Sequence, residues 1–199
     1  MNTRISSKEL TKQLLLEAGM ETILEKGYNN TGIQEVLDAV NVPKGSFYYY
    51  FDSKEDFALQ IIDFFAENFA NRILRHLRDT SLTPLNRLKS YCQTNKEMIV
   101  GWHCRKGCLI GNLSQEMADQ SESLRGRLEN VMSRWRDLFA ACIAEGQAVG
   151  EIPARQNAHE LAEFFLSGWE GAVMRAKSTR SEEPMNVFIK LMFEHVLSK

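Results

Sequence analysis

The spacing of apolar side chains predicts a chain built almost entirely of helices. Between residues 16 and 23, apolar or small side chains recur at i, i+3, i+4 and i+7, and Gly27 follows as a stop signal. The same spacing returns in a second stripe, formed by Ile33, Val36, Leu37 and Val40. Glycine and proline, which punctuate strands and turns, number only 12 and 4 in 199 residues. The pattern therefore favours an all-α fold.

Start signals divide the rest of the N-terminal part into helices. Thr31, followed by Gln34 three residues later, is typical of a capping box at the start of the second helix. Pro43 suits the first turn of a third, short helix, because proline has no amide hydrogen to leave unpaired. Ser53, with Asp56 in the matching position, predicts a long fourth helix that runs to about residue 78.

The same signals predict five further helices. Thr83 and Pro84 begin one that ends near a connection at residues 101–107, and the others cover about 108–118, 123–147, 156–176 and 184–198. The expected architecture is about nine helices, three short ones first and longer ones after. We expect residues 1–54 to form an N-terminal domain and residues 55–199 to form a second helical domain.

The second and third helices are the candidate functional motif. They are joined by Asn41, Val42 and Pro43, and asparagine tolerates the left-handed backbone that ends a helix. Two short helices joined in this way, over about residues 31–50, form a helix-turn-helix. The second helix of such a motif enters the major groove of DNA.

The face of the third helix opposite Phe47 and Phe51 suits contact with DNA. It carries Lys44, Ser46, Tyr49 and Tyr50, with Tyr48 beside them. Phenols bond phosphates and contact base edges, and Lys54 follows in the first turn of the next helix, where backbone amides attract anions. The competing interpretation is that the tyrosines are core residues. Because consecutive residues lie about 100° apart around a helix, the three cannot all face one core.

Composition excludes several classes of protein. The apolar fraction of 44% and the charged fraction of 25% are those of a folded globular chain. No apolar run approaches the length of about 20 residues that a membrane span needs, and the first residues lack an export signal. We therefore expect a cytoplasmic protein with four reduced cysteines. The net charge of −2 does not argue against DNA, since phosphates require local positive charge.

Residues 8–57 resemble the DNA-binding domain of the TetR family of bacterial regulators. The resemblance is carried by TGIQEVLDAVNVPKGSFYYYFDSKEDF at residues 31–57 and by Lys26-Gly27-Tyr28 before it. It implies three N-terminal helices for DNA, followed by a variable helical domain for a ligand and for dimerisation. The family usually has glycine in place of Asn41 and serine or threonine in place of Pro43, and both substitutes suit the motif.

The resemblance also implies roles for single residues. Tyr48 and Lys54 would hold backbone phosphates, and Tyr50 would contact phosphates or bases. The residues that would face the bases are Gln34, Lys44, Gly45, Ser46 and Tyr49, and Thr31 completes the DNA-binding set. The expected partners are a palindromic operator in double-stranded DNA, a second copy of the chain and a small effector, without a cofactor or a membrane.

The C-terminal part contains candidates for a ligand cavity. Pockets favour aromatic and flexible apolar groups, and the candidates are Trp102, Met117, Trp135, Phe165 and Trp169. For any one of them, packing in the core of the bundle or in a dimer interface is the commoner role, so both interpretations stay open.

The last two long helices are expected to form a two-fold dimer. Both have apolar stripes: Leu161, Phe164, Phe165, Gly168 and Ala172 on the first, and Val187, Leu191 and Val196 on the second. Gly168 and Gly171 would let two helices approach closely, and a two-fold dimer matches a palindromic operator. The same stripes would also serve an intramolecular core.

Cys108 is a candidate sensor. It follows Arg105, Lys106 and Gly107 at the expected start of a helix, where cations and the helix terminus favour a thiolate. Residues 107–116 also resemble a TetR subgroup that includes electrophile-responsive repressors. The alternatives are an inert buried cysteine and a zinc site with His103 and Cys104, which has no C-x₂-C pair and no evident fourth ligand.

Enzymes are the main rival class, and the sequence offers none of their motifs. The Glu-x-x-His pairs of di-iron bundles, phosphate-binding glycine loops, H-E-x-x-H and G-x-S-x-G are all absent. The other alternative is a helical ligand-binding or scaffold protein that does not bind DNA. We therefore predict a transcriptional repressor, not an enzyme, that is released from its operator by a small ligand or by thiol modification.

Overall fold

The computed structural model describes residues 7–198, and its N-terminal helices follow the predicted order. They are α1 (Ser7–Lys26), α2 (Ile33–Ala39), α3 (Phe47–Tyr50) and α4 (Lys54–Leu77). A 3₁₀ turn, Lys44–Ser46, leads directly into α3, and we call residues 44–50 the recognition segment. α1 stops at Gly27, whose φ of 82° is left-handed and whose N–H bonds the carbonyl of Ile23 at 2.9 Å.

The remaining helices complete an all-α chain. They are α5 (Pro84–Gly101), α6 (Leu109–Met117), α7 (Glu122–Ala148), α8 (Ala158–Thr179) and α9 (Glu183–Leu191). The helix expected at 184–198 changes at its end, because α9 is followed by a wider π-helical turn, Met192–Val196. Residues 7–198 thus contain nine α-helices and no strand, as predicted. Within this range we find no helix with the length and apolarity that a membrane crossing requires.

Two start signals had different outcomes. Ser53 caps α4 as predicted, since its hydroxyl accepts the N–H of Asp56 at 3.0 Å. The predicted capping box of α2 is wrong, because the helix begins after Gly32 and no side chain caps it. The hydroxyl of Thr31 instead donates to the carbonyl of Gly27 at 2.7 Å, and Gln34 bonds Asp38 one turn ahead. Thr31 therefore closes the turn between α1 and α2.

An aromatic cluster fills the centre of the C-terminal helices. The ring centroid of Tyr91 lies 5.0 Å from that of Phe139, and Phe139 lies 4.9 Å from Phe165. Trp135 packs 4.6 Å from Phe69 of α4, so the long fourth helix shares this core. Buried aromatic pairs contribute both apolar area and ring geometry, and they hold α4, α5, α7 and α8 together.

α6 joins the N-terminal helices to this core through one carboxylate. Glu116 accepts the backbone N–H of Tyr28 and that of Asn29, both at 2.8 Å, just after the end of α1. Gly27 makes room for it, because a Cβ there would lie 2.8 Å from a carboxylate oxygen. The N–H groups that follow α1 thus have a charged acceptor on another element. We call this contact the Glu116 latch.

Candidate DNA interface and internal cavity

The turn of the helix-turn-helix has the predicted backbone. Asn41 takes a left-handed φ of 54°, and the N–H of Val42 bonds the carbonyl of Leu37 at 3.0 Å. Beyond the turn, Phe47 and Phe51 are fully buried, and Phe51 packs 4.6 Å from Phe57 of α4. The recognition segment is therefore anchored to the N-terminal core through its apolar side.

The opposite side of the recognition segment faces solvent. Lys44 and Gly45 are exposed, and Tyr48 and Tyr49 each retain 65% of their accessible surface. Only Tyr50 is half-buried among the three tyrosines, so packing against the core applies to it alone. Two large phenol rings on this anchored turn expose apolar surface to water, which is unfavourable in the free protein. Their position suits contact with phosphates or bases.

Lysines from outside the recognition segment reach its border. The Nζ of Lys8 lies 4.1 Å from the ring centroid of Tyr49, and that of Lys54 lies 4.5 Å from the ring of Tyr28. Burial lowers the pKa of Lys54, while Glu116 opposes that shift. Sequence reasoning missed Lys8 and its neighbour one turn on, Lys12, although their i, i+4 spacing on α1 indicates a shared face.

The other predicted DNA residues divide between surface and support. Gln34 is exposed on α2, and Ser46 is half-buried in the recognition segment. Thr31 is 4% exposed and its hydroxyl donates to the carbonyl of Gly27, so it stabilises the turn before α2 and does not face the DNA.

A cavity of about 230 Å³ lies between α1, α4, α5, α6 and α8. Most of its wall is apolar, with Leu24, Phe64, Phe69, Ile99, Trp102 and Trp169 among the lining residues. Polar groups enter from several elements, among them Arg72 of α4, Asn95 of α5, Cys108 just before α6 and Glu170 of α8. A concave apolar site with a few converging polar groups is the usual form of a small-molecule site.

The predicted ligand residues separate into two groups. Trp102, Cys108 and Trp169 line this cavity. Met117, Trp135 and Phe165 do not line it, and all three are buried in the core, where packing accounts for them. Arg72, Asn95 and Glu170 were missed, because only the folded chain brings these polar residues together.

The prediction that nearby cations make Cys108 a thiolate is wrong. Lys106 pairs with Glu21 of α1, and burial raises the pKa of the Cys108 thiol well above its usual range, with the Glu170 carboxylate adding to the rise. The backbone N–H groups of Gly111 and Ile110, at the start of α6, act on the pKa of the thiol in the opposite direction. Cys108 is thus the N-cap of α6, and it holds its proton in the free protein.

The described residues do not supply the alternative zinc site. Cys104 is buried, and no group of three or more His, Cys, Asp or Glu side chains in residues 7–198 is arranged to hold a metal ion.

An anchored, outward-facing recognition segment in a helical chain that also has an internal cavity is the arrangement of a helix-turn-helix DNA-binding regulator. Comparisons with known proteins agree. Residues 15–61 match the model described as bacterial regulatory proteins, tetR family, and residues 84–192 match that of the tetracyclin repressor-like C-terminal domain. The chain belongs to the TetR family of transcriptional regulators, and its N-terminal helices form the DNA-binding domain.

Individual relatives cover nearly the whole chain. Transcriptional regulator AcuR of Cereibacter sphaeroides is 39% identical over 190 residues, which are 96% of this chain and 87% of that protein. The HTH-type transcriptional repressor DhaR of Mycobacterium sp. (strain GP1) is 37% identical over 186 residues, covering 94% and 92%. The crystal structure of the reduced form of E. coli NemR matches with a TM-score of 0.85 at 26% identity, over 94% of this chain and 97% of that one.

Proposed function

We propose that this chain is a repressor that binds a palindromic operator as a two-fold dimer and leaves it when a small effector fills the internal cavity or modifies Cys108. The recognition segment carries the proposal, because Tyr48 and Tyr49 are exposed on a turn that Phe47 and Phe51 fix to the core. Repression follows the names of relatives such as DhaR.

The recognition segment is expected to divide its contacts between bases and phosphates. Lys44 begins the segment and is exposed, so it suits the edge of a guanine. At Gly45 no other atom lies within 4 Å of the position of a Cβ, which leaves the backbone open to the groove. Tyr48 lies on the flank, where its hydroxyl suits a phosphate oxygen.

DNA fragments that co-purify with the protein provide the test, through mobility shifts at several salt concentrations. Lys44→Ala should change the preference between fragments by ~1–3 kcal/mol, because a base contact is lost. Tyr48→Phe should weaken binding to all fragments alike. Lys89→Ala, a change at an exposed lysine of α5, is the matched control. If Lys44→Ala and Tyr48→Phe bind every fragment like the wild type, the recognition segment does not read DNA.

The dimer is expected to form through the exposed faces of α8 and α9. Phe164 is 58% exposed, and Val187 and Leu191 of α9 are 46% and 49% exposed. No atom lies within 4 Å of a Cβ position at Gly171, which leaves this site open to a partner. Gly168 has a different role, because a Cβ there would lie 2.8 Å from Phe188 of the same chain.

Sedimentation at micromolar concentration tests the dimer. The wild type should sediment with twice the chain mass of 22.8 kDa, and Leu191→Glu should shift it toward the monomer, because the charge would be buried in the interface. Val149→Glu, a change at an exposed apolar residue beyond α7, is the control. A monomeric wild type would contradict the proposal.

α4 provides a direct route from the cavity to the recognition segment. It begins at Lys54, three residues after Phe51, and its middle contributes Phe64, Phe69 and Arg72 to the cavity. A continuous helix transmits a tilt at its centre to its end. Because half-sites repeat about every 34–36 Å along DNA, a displacement of a few ångströms would prevent both recognition segments from docking together. Differential binding of ~2.7 kcal/mol suffices for a hundredfold release.

The form of the effector is tested with Cys108→Ser. Wild type and variant are exposed to a thiol-reactive electrophile while operator binding is followed. Release of the wild type alone would establish modification of Cys108 as a trigger. Equal release of both proteins would exclude Cys108 as the sensor and leave a non-covalent occupant of the cavity.

A further inference from the structure

Cys108 and Glu170 form a pair at the wall of the cavity. Glu170 extends from α8, and its carboxyl group lies beside Cys108 at the start of α6, since a Cβ at Gly111 would lie 3.7 Å from the Cβ of Cys108 and closer still to the Glu170 carboxylate. Gly111 of α6 creates the space for it, because a Cβ at Gly111 would lie 2.4 Å from Oε2 of Glu170. The absence of a side chain at position 111 therefore leaves room for the carboxyl group next to Cys108.

Asn95 independently indicates that the cavity takes a polar ligand. Its side chain is only 2% exposed and lines the cavity, and its amide nitrogen donates to the carbonyl of Tyr91 at 2.8 Å. Its Oδ1 has no hydrogen-bond partner. Because burying an acceptor without a partner is unfavourable, an occupant with an N–H or O–H group would bind more tightly by pairing with it.

The environment of Glu170 suits a proton acceptor. Burial raises the pKa of its carboxyl group to about 7, and Cys108 opposes part of that rise. The Glu170 charge contributes to the raised pKa of Tyr91 on α5, and Arg72 of α4 lines the same cavity. Glu21 of α1, which also lines the cavity, pairs with Lys106. In residues 7–198 no cationic side chain lies within 4.0 Å of the Glu170 carboxylate.

α7 and α9 pack on α8 through aromatic groups. Phe139 of α7 packs against Phe165, and Phe188 of α9 packs 5.6 Å from Trp169, the residue before Glu170. The proton of the Cys108 thiol therefore has one nearby acceptor with a pKa near neutrality.

We propose that Glu170 is the proton acceptor that makes Cys108 reactive toward small carbon electrophiles held in the cavity, an inference that rests on the proposed function, in which the cavity receives the effector. Cys108 reacts as a thiol that loses its proton during the attack, not as a preformed thiolate. General bases whose pKa lies near the working pH are the most efficient, which matches Glu170.

The chemical step balances within the cavity. With an alkyl halide, the sulfur–carbon bond forms, the carbon–halogen bond breaks, the halide leaves and the thiol proton passes to Glu170. With an α,β-unsaturated carbonyl compound, sulfur bonds the β carbon and the π electrons move to the enolate. The proton held by Glu170 then returns to the α carbon. An N–H or O–H group on the electrophile pairs with Oδ1 of Asn95.

The test measures the rate at which iodoacetamide alkylates Cys108. Iodoacetamide is small and its amide supplies N–H groups. Trypsin separates Cys108 from Cys104, because it cleaves after Arg105 and Lys106, so mass spectrometry of the peptides reports each thiol alone. The full chain is followed from about pH 5.5 to about pH 9.5, a range that spans the Glu170 titration and ends below the raised pKa of the thiol. Cys108→Ser provides the blank.

Wild type and Glu170→Gln should differ in both rate and pH profile. The wild-type rate should rise with the ionisation of Glu170 near pH 7 and then level. Glu170→Gln should react roughly a hundredfold more slowly near neutrality, and its rate should continue to rise to the end of the range as the thiol itself ionises. Glu160→Gln removes a carboxylate from the exposed first turn of the same helix and should behave like the wild type.

Gly111→Ala tests the pair with the carboxyl group still present. Its Cβ displaces the flexible end of Glu170 from Cys108 without a clash with the backbone, so the chain should fold and lose the same step. It keeps the proposal falsifiable if Glu170→Gln fails to fold. A wild-type profile in either folded variant would overturn the role of Glu170.

Mobility shifts with the same samples separate this inference from the proposed function. If alkylation depends on Glu170 but alkylated protein still holds its operator, the release route through Cys108 fails and the role of Glu170 stands. If alkylated protein leaves the operator but its alkylation ignores Glu170, the proposed function stands and the role of Glu170 is overturned.

Discussion

The recognition segment and the cavity are built in opposite ways. The recognition segment is seven consecutive residues, in which Phe47 faces inward and Tyr48 and Tyr49 face outward on one helical turn. The polar groups of the cavity come from several separate helices, with Arg72 on α4 and Glu170 on α8 almost a hundred residues apart. One surface is encoded locally and the other is assembled by the core.

Because of this difference, substitutions in the two sites should affect folding to different extents. The recognition segment needs one anchored turn, so a change at Tyr48 or Tyr49 is expected to alter DNA contact with little effect on folding. The polar groups of the cavity share buried space, so a change at Glu170 is expected to alter chemistry and stability together. The two sites should therefore respond differently to substitution.

Removing a buried ring of the recognition segment should have the largest effect on stability, because the exposed tyrosines are held in place by the packing of Phe47 and Phe51. Phe51→Ala deletes a fully buried ring that contacts Phe47 and Phe57, and it should lower the free energy of unfolding by ~3–5 kcal/mol. Tyr49→Ala, at a ring 65% exposed, should change it by about 0.5 kcal/mol or less. Urea unfolding measures both, and similar losses would show that the outward ring also supports the fold.

The second prediction concerns stability and pH at the cavity. The pKa of Glu170 rises from 4.5 to about 7 on folding, so the folded chain binds more protons between these values. The free energy of unfolding should therefore fall as pH rises through this window, by about 3 kcal/mol in total relative to Glu170→Gln, and level above it. Urea unfolding of both proteins from about pH 5 to about pH 8 measures the difference. A difference that is constant with pH would place Glu170 in contact with solvent.

The third prediction tests the Glu116 latch, which joins the locally encoded part to the assembled part. Glu116→Gln keeps the shape but replaces one charged acceptor of the N–H groups of Tyr28 and Asn29. We expect a loss of ~1–2 kcal/mol in the free energy of unfolding, since charge-assisted bonds are stronger than neutral ones. Gln115→Ala, at an exposed residue of the same helix, is the control. Equal stabilities of both variants would show that the latch contributes no stability.

The smallest expected effect lies at the border of the DNA surface. Lys54→Ala should reduce the slope of the logarithm of affinity against that of salt concentration by about one counterion, without a change in sequence preference. Its Nζ lies over Tyr28 in the free protein, so it must turn outward to reach a phosphate. Binding isotherms at several salt concentrations provide the slope. An unchanged slope would show that Lys54 does not bind a phosphate and only packs against the ring of Tyr28.

How much the sequence predicts follows from the same distinction. The nine helices, the left-handed Asn41 and the buried Phe47 and Phe51 follow from periodicity and turn chemistry, which act over a few residues. The cap of α2 failed at this scale, because the hydroxyl of Thr31 bonds backward to Gly27 instead of forward. The Thr31 and Ser53 patterns look alike in sequence, but only Ser53 caps its helix, because the hydroxyl of Thr31 is bonded to the residue that ends the preceding helix.

The cavity was predicted only in part for a different reason. Trp102 and Trp169 line it, while Trp135 of the same type is in the core, and composition does not distinguish the two positions. The environment of Cys108 was predicted from Arg105 and Lys106, its neighbours in sequence. It is set by Glu170, 62 residues further along the chain, and by burial, neither of which has a local signal.

The Glu116 latch also sets a rule for recombination between homologous regulators. The N–H groups of residues 28 and 29 belong to the DNA-reading half, and the carboxylate that accepts them belongs to the sensing half. A chimera that exchanges these halves therefore inherits two backbone donors from one parent, the half-buried N–H of residue 28 and the exposed N–H of residue 29, and must find the acceptor in the other. Chimeras of parents that share a carboxylate at this position should keep the latch, and chimeras that lose it should be less stable.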